Sequence, residues 1–423
     1  MNYSNNENIP LAKLCHGKGE YGIGASAVPK SPNLPTYLRI TDITDNGDLI
    51  TEGLTSVDHV DSSKYYLEEN DIVFARTGAS TGRAFFYEKK YGRLVYAGFL
   101  IKFSINEKKV NPKYLKYYTL SDQYKGWVKA YTGGSTRGNI NAKTFGELSI
   151  ELPPRNQQDF LVKVLSSLDD KIELNNKINK NLEELAQTLY KRWFVDFEFP
   201  NEDGEPYKSS GGEMVESELG LIPKGWNVKT IDEITIFNKR GIAPKYTDDG
   251  SGIPVINQRC IRNHTIIEEA VQYHNPDAKK TPAELFHSSW DVLINSMGVG
   301  TLGRLSISSI EHKKLVHSCI TILRPNTRII LHPIFAYMML SFEDKFIQMG
   351  EGTTGQTSLN NKLLGQMKVV VPPIILQDSI SNTINSLQNL IDNNYLENER
   401  LAKTRNELLP KLMSGEIEVA IEE

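Results

Sequence analysis

The second half of the chain repeats the first, and no other feature restricts its fold so strongly. Leu148-Ser-Ile-Glu-Leu-Pro-Pro154 lines up with Met367-Lys-Val-Val-Val-Pro-Pro373 at an offset of 219 residues, and Gln158-Asp159 then falls on Gln377-Asp378. At the same offset Gly133, Asn141, Lys143 and Gly146 fall on Gly352, Asn360, Lys362 and Gly365. Further upstream, Asp71-Ile-Val-Phe-Ala-Arg-Thr-Gly78 resembles Asp291-Val-Leu-Ile-Asn-Ser-Met-Gly298 after a one-residue slip, and Gly82-Arg83 pairs with Gly303-Arg304 after another. A duplicated sequence calls for a duplicated architecture. Each Pro-Pro follows a short β-like run and precedes a helical pattern, as expected where a strand stops and a helix begins.

Downstream of each Pro-Pro the apolar residues recur in heptads. In the first copy one row is Leu161, Leu168, Asn175, Leu182 and Leu189, with Leu165, Ile172, Asn179, Ala186 and Trp193 four places after each. In the second copy the rows read Ile380, Leu387, Asn394, Leu401, Leu408 and Ile384, Ile391, Asn398, Arg405, Leu412. Five heptads with both rows mostly apolar predict a coiled coil, and two such helices in one chain suggest that each is the other's partner. Asn175, Asn179, Asn394 and Asn398 sit mid-seam, where buried Asn fixes register at some cost in stability or is tolerated at a wet crossing. A helix over 161–193 would be roughly 50 Å long at 1.5 Å rise per residue.

The remaining sequence mixes short β-like runs (Ala97–Phe103, Ser149–Leu152, Ser318–Leu323, Lys368–Val371) with amphipathic stretches over Pro112–Lys129 and Pro333–Met349. The expected fold class is therefore α+β. It comprises two tandem mixed α/β units, 1–154 and 219–373, and two long helices within 155–200 and 374–423 that pair as an antiparallel coiled coil. The internal repeat would be pseudo-two-fold, and the polar, Gly-rich stretch 201–218 reads as a linker.

Charge follows the same division. Residues 1–154 carry a net +3 and 219–373 a net +4, against -6 for 155–218 and -5 for 374–423, so the overall -4 conceals two mildly basic units. That balance suits globular units facing phosphates. Cys15, Cys260 and Cys319 are scattered without CxxC or Cys/His spacing, which argues against a disulfide framework and a zinc site. The longest apolar run, Ile329–Leu340, is interrupted by His332 and Pro333 and is too short for a bilayer. The first residues lack a signal-peptide pattern, so a cytoplasmic location and no membrane partner are expected.

Two pairs of loops carry residue types suited to nucleic acid. Arg76-Thr-Gly-Ala-Ser-Thr-Gly-Arg83 corresponds to Asn295-Ser-Met-Gly-Val-Gly-Thr-Leu-Gly-Arg304; these are either turns after a strand or loops facing nucleic acid, and neither has the GxxxxGK[ST] arrangement of a nucleotide hydrolase. Gly133-Gly-Ser-Thr-Arg-Gly-Asn-Ile-Asn141 corresponds to Gly352-Thr-Thr-Gly-Gln-Thr-Ser-Leu-Asn360. Their Ser, Thr, Asn, Gln and Arg side chains bond phosphates and base edges, Arg favouring guanine and Gln or Asn adenine. The DNA-binding candidates are Arg76, Thr77, Ser80, Thr81, Arg83, Ser135, Thr136, Arg137 and Asn139 in the first unit, and Asn295, Ser296, Thr301, Arg304, Thr353, Thr354, Gln356 and Thr357 in the second. Tyr21-Gly-Ile-Gly-Ala-Ser26 is a further Gly-rich turn with little signal of its own. No HExxH, GxSxG or GxGxxG occurs, nor the Asn/Asp-Pro-Pro-Tyr/Phe tetrapeptide of adenine methyltransferases, so no catalytic or metal site is expected.

Over nearly its whole length the chain resembles the specificity subunits of type I DNA restriction–modification systems. The resemblance rests on the tandem arrangement, on Leu189-Tyr-Lys-Arg-Trp-Phe-Val-Asp-Phe-Glu-Phe199, on Ser217-Glu-Leu-Gly-Leu-Ile-Pro-Lys-Gly-Trp226, and on the Pro-Pro-x3-Gln entries at Pro153–Gln158 and Pro372–Gln377. It implies two target recognition domains, each reading one half of a bipartite, asymmetric target on double-stranded DNA, with the paired helices setting the unread spacer. It also implies two docked methyltransferase subunits that carry S-adenosylmethionine, and restriction/translocase subunits that use ATP and Mg, this chain binding no cofactor itself. The alternative is a coiled-coil scaffold protein without sequence-specific DNA binding.

Overall fold

The computed structural model describes residues 7–133, 138–247, 249–298, 300–350 and 358–417. The chain forms two compact units, Met1–Ile172 with Glu399–Glu423, and Glu173–Asn398, so each unit includes part of both long helices.

In the first unit a four-stranded antiparallel sheet runs in the order Glu20–Tyr21, Leu100–Ser104, Asp71–Ala75, Ala84–Phe86, with Phe74 opposite Ile101. Its centre, Asp71-Ile-Val-Phe-Ala75, is buried throughout. Because side chains alternate across a sheet, Ile72 and Phe74 enter one apolar cluster, with Phe103, Phe145 and Leu165. Val73 and Ala75 enter another, with Leu38, Phe85 and Tyr96. After the buried Asp71, a strand covered on both faces is apolar at each position, which is why residues 72–75 lack an in–out pattern. A second sheet (Ala27–Val28, Thr55–Val57, Thr36–Leu38, Leu94–Tyr96) includes one parallel pair. Glu7–Pro10 pairs with Ser149–Leu152, so the two ends of the stretch that precedes the long helix lie side by side.

The second unit repeats this plan. Its sheet runs Thr235–Arg240, Ile320–Pro325, Val292–Asn295, Leu305–Ser306, with Ile294 opposite Thr321, and Asn227–Thr230 pairs with Lys368–Val371. Val292 and Ile294 again face one cluster and Leu293 another. The amphipathic stretches each break into two helices: Pro112–Tyr118 and Asp122–Thr132 in the first unit, His332–Leu340 and Glu343–Gly350 in the second. In the first unit the break is set by Ser121, whose hydroxyl accepts the Tyr124 N–H and restarts the helix.

The stretch read as a linker is folded. Phe199 stacks between Tyr207 and Trp226 at ring-centroid distances of 4.6 and 5.5 Å, Ser209 donates to Glu198, and Met214–Ser217 forms a hairpin with Gly220–Pro223. Its one anchoring aromatic, Tyr207, packs on Phe199, which in turn stacks on Trp226, and both of these lie outside the stretch.

The long helices are Arg155–Tyr190 and Ile374–Met413. At the start of each, the motif Gln is buried and grips backbone. Gln158 accepts the Asn111 N–H (2.8 Å) and donates to the Pro153 carbonyl (2.7 Å). Gln377 accepts the Leu331 N–H (2.7 Å) and donates to the Pro372 carbonyl (2.9 Å). Leu161, Leu165, Leu168, Ile172, Leu182, Leu189, Ile380, Ile384, Leu387, Ile391, Leu401 and Leu408 are all buried or half-buried, as are the four seam asparagines. In the second unit Asn175 donates to Asn398 (2.9 Å) and Glu397 (2.7 Å), and Asn394 donates to Asn179 (2.7 Å). Numbers rise on one helix as they fall on the other, so the pairing there is antiparallel. In the first unit Arg405, a charged residue in a heptad row, donates to Asp169 (2.8 Å), which also accepts the Tyr117 hydroxyl (2.8 Å).

A hairpin of the second unit is clamped to helices. Asn263 and His264 both have positive φ (46° and 57°), as a two-residue turn between Ile261–Arg262 and Thr265–Ile266 requires. His264 bonds through Nδ1 to Glu183 and through Nε2 to Glu343 (2.8 Å). Burial opposes the charge, but hydrogen bonds to the two carboxylates prevail and push the imidazole pKa from 6.5 up to about 10. A folded pKa above the unfolded one stabilises fully below about pH 6.5 and progressively less as the pH rises towards 10. His264→Gln should therefore cost on the order of 3 kcal/mol at pH 6 and much less at pH 10. Denaturant midpoints of both proteins at the two pH values check this; an equal gap at both would contradict it.

Candidate nucleic-acid interface

In each unit the edge strand of the central sheet delivers one polar side chain to the same place. Tyr21 ends Glu20–Tyr21 opposite Ile101, and Arg240 ends Thr235–Arg240 opposite Thr321, an offset of 219 residues. Glycine comes next in both for one reason: a Cβ on Gly22 would lie 2.3 Å from the Tyr96 and Ala97 carbonyl oxygens, and one on Gly241 1.9 Å from that of Val316. The chain then crosses the neighbouring strand, with Ile23 bridged to Ala97 and Ile242 to His317.

In the first unit Arg76 leaves the central strand at this point. Its backbone is held on both sides, N–H to the Phe99 carbonyl (3.0 Å) and carbonyl to the Ile140 N–H (2.9 Å). Its guanidinium lies over the Tyr21 ring, 4.9 Å from the centroid, and Nε donates to Asn139 Oδ1 (3.3 Å). Tyr21 and Phe99 are 43% and 60% exposed. Thr77 forms a backbone bridge with Asn139, and Thr81 donates to the Gly78 and Gly138 carbonyls.

The second unit uses different chemistry there. Ser296 stands where Arg76 does, and the guanidinium comes instead from Arg240: Nε to Asn361 Oδ1 (3.3 Å), Nη2 to the Leu359 carbonyl (2.7 Å) and Nη1 to Met297 Sδ (3.5 Å). Asn238 and Asn361 exchange hydrogen bonds beside it. Asn238, Lys239, Arg240, Ser358, Asn360 and Asn361 line an open cavity of about 480 Å³. Every lining residue is a hydrogen-bonding type suited to base edges and phosphates.

Several candidates are corrected by their positions. Asn295 and Ser296 are fully buried: Asn295 donates to the Gln258 carbonyl and the Ser296 hydroxyl bonds that of Thr321. Ser80 is buried, and Thr301 turns its hydroxyl inward. Arg83 directs Nε to Asp45 (2.7 Å) and Nη1 to the Ile43 carbonyl (3.0 Å) within the fold. Arg304 is half-buried, its carbonyl accepting the Asn295 N–H. The glycines of these loops serve packing: Gly82 and Gly303 have positive φ, and a Cβ there would meet Val128 at 2.4 Å and Ile347 at 2.6 Å. Ser135, Thr136, Arg137, Thr353, Thr354, Gln356 and Thr357 lie outside the described residues. Of the candidates, Arg76, Thr77, Thr81 and Asn139 come together. Tyr21, Phe99, Arg240 and the Asn238–Asn361 cup escaped the sequence reading, although the turn starting at Tyr21 and its repeat at Arg240 were a usable signal.

Among the described residues no cluster of His, Cys, Asp and Glu could hold a metal ion, and no helix is long and apolar enough to cross a membrane.

The family model described as the type I restriction modification DNA specificity domain matches residues 7–184 and again residues 223–403. The chain belongs to that family. The two matches fall on the two copies of the repeat, and each runs on into the long helix at the end of its copy. Relatives include the type I restriction enzyme HindI specificity subunit of Haemophilus influenzae, 21% identical over 91% of this chain and 95% of that one. Another is the type I restriction enzyme MjaIX specificity subunit of Methanocaldococcus jannaschii, 27% identical over 73% of this chain and 69% of that one. Among solved structures, the S subunit of a type I restriction-modification system from M. genitalium shares the fold, with a TM-score of 0.56 and 17% identity over 97% of both chains. Membership of the specificity family thus coincides with a duplicated fold that presents a polar rim at one topological station in each copy.

Proposed function

We propose that this chain is the non-catalytic DNA-recognition subunit of a type I restriction–modification complex, each unit reading one half of a split target. The observation that carries this reading is the repeated rim. The same strand ends present Tyr21, Arg76 and Asn139 in one copy and Arg240, Ser358 and Asn361 in the other. A scaffold duplicated in backbone but diverged in its base-reading side chains fits two different half-sites. In this reading double-stranded DNA is the substrate of the assembly. Two methyltransferase subunits dock on the helices and carry S-adenosylmethionine, while restriction/translocase subunits carry ATP and Mg. The work is cytoplasmic, and this chain contributes positioning and sequence choice.

The test is co-expression with the methyltransferase of its own system in a host free of other adenine methylation, with genome-wide mapping of N6-methyladenine. A split motif that disappears when this chain is omitted is the expected result. Methylation indifferent to this chain would overturn the reading.

A further inference from the structure

Among the described residues the Arg76 guanidinium is oriented and keeps most of its donors free to point outward. The guanidinium carbon lies over the Tyr21 ring and Asn139 takes Nε, while among the described residues neither Nη finds an acceptor. The platform is itself fixed, since the Tyr21 hydroxyl accepts the Ala142 N–H (3.1 Å). Stacking on a ring removes the rotational freedom that a surface Arg loses on binding, so the fork is preorganised. Arg83, by contrast, commits Nε to Asp45 and Nη1 to the Ile43 carbonyl. The exposed Tyr21 ring gives the planar cation of Arg76 an apolar border, which a base edge can cover more completely than a phosphate can.

We infer that Arg76 reads a guanine, its two Nη groups donating to O6 and N7, in the half of the target contacted by the first unit. The inference rests on the recognition role proposed above and adds a base identity to it. It also predicts asymmetry: the second unit has the buried Ser296 in place of Arg76, and its own Arg240 has all three nitrogens engaged within the fold, so that half lacks the equivalent contact. Two parallel donors to O6 and N7 are the geometry by which Arg separates guanine from other bases.

The experiment maps N6-methyladenine for wild type, Arg76→Gln and Arg76→Lys, each co-expressed with the same methyltransferase. A guanine in one half of the wild-type motif is expected, and Arg76→Gln should weaken discrimination at that one position by roughly 10- to 100-fold, leaving the other half unchanged. Arg76→Lys should not restore it, because an ammonium is a point charge and not a fork. It also carries the test alone if Arg76→Gln fails to accumulate. An unchanged motif in the variants would overturn the inference. So would a uniform drop over all sites that Lys repairs, since that marks a phosphate contact. Loss of any split motif in wild type would instead overturn the recognition role itself, so the two failures are distinguishable.

Discussion

Replacing residues 1–154 with the corresponding unit of another family member is expected to exchange one half of the methylated target completely and leave the other half intact. The junction favours this. Glu7–Pro10 pairs with Ser149–Leu152, so the unit begins and ends on adjacent strands and can be excised without opening a gap. The clasp just beyond it addresses only backbone: Gln158 bonds the Asn111 N–H and the Pro153 carbonyl, groups that any sequence with the same chain path supplies. Contacts that depend on side chains, among them Tyr117 and Lys116 to Asp169 and Asn111 to Asp159, would cost a graft some stability without altering what it reads. Methylation at the original half-site should fall to background while the second half remains in the motif. A change in both halves, or in neither, would contradict the assignment of one half-site to each unit.

Arg324→Met is expected to be among the most destabilising single changes in the second unit, at about 3–5 kcal/mol. Arg324 grips Asp291 with two bonds of 2.7 Å, and the Asp291 side chain is wholly buried. Without the guanidinium, the hydrogen bond left to that carboxylate among the described residues is the Ser288 N–H (2.8 Å), with His332 the remaining nearby titratable group. Burial already raises the Asp291 pKa despite the arginine, and removing the arginine raises it further. A carboxyl whose folded pKa is raised is penalised when ionised, so the variant's deficit should be greatest at pH 8 and shrink towards pH 5 as the group protonates. Denaturant midpoints at the two pH values check this, and Asp291→Leu combined with Arg324→Met should recover most of the loss, since it removes the buried charge with its partner. A double variant as unstable as the single one would show that the guanidinium over the Phe237 ring, and not the buried carboxylate, carries the effect. In the first unit the same carboxylate, Asp71, faces Ser104 and Lys102 instead, so the two copies satisfy one buried acid in different ways.

The sequence alone determined the duplication, the long helices and the places where they begin. Those features depend on spacing along the chain: Pro-Pro stops a strand at Leu152 and at Val371, and a seven-residue apolar period commits the next residues to a helix with a partner. The mid-seam asparagines and the motif glutamines were visible too, although that Gln158 and Gln377 grip backbone needed coordinates. The candidate interface was legible only in part. Composition marked the loops after Asp71–Ala75 and Val292–Asn295 as rich in small hydroxyls and arginine, but burial decides whether such a side chain faces solvent, and Ser80, Asn295 and Ser296 face inward. Tyr21, Phe99, Arg76 and Asn139 are separated by tens of residues and meet because sheet pairing brings strand ends together. No local pattern encodes that convergence. The same pairing puts Arg240 in Tyr21's place, so only tertiary structure decided which side chains occupy the rim, because register and burial are set by contacts between distant segments.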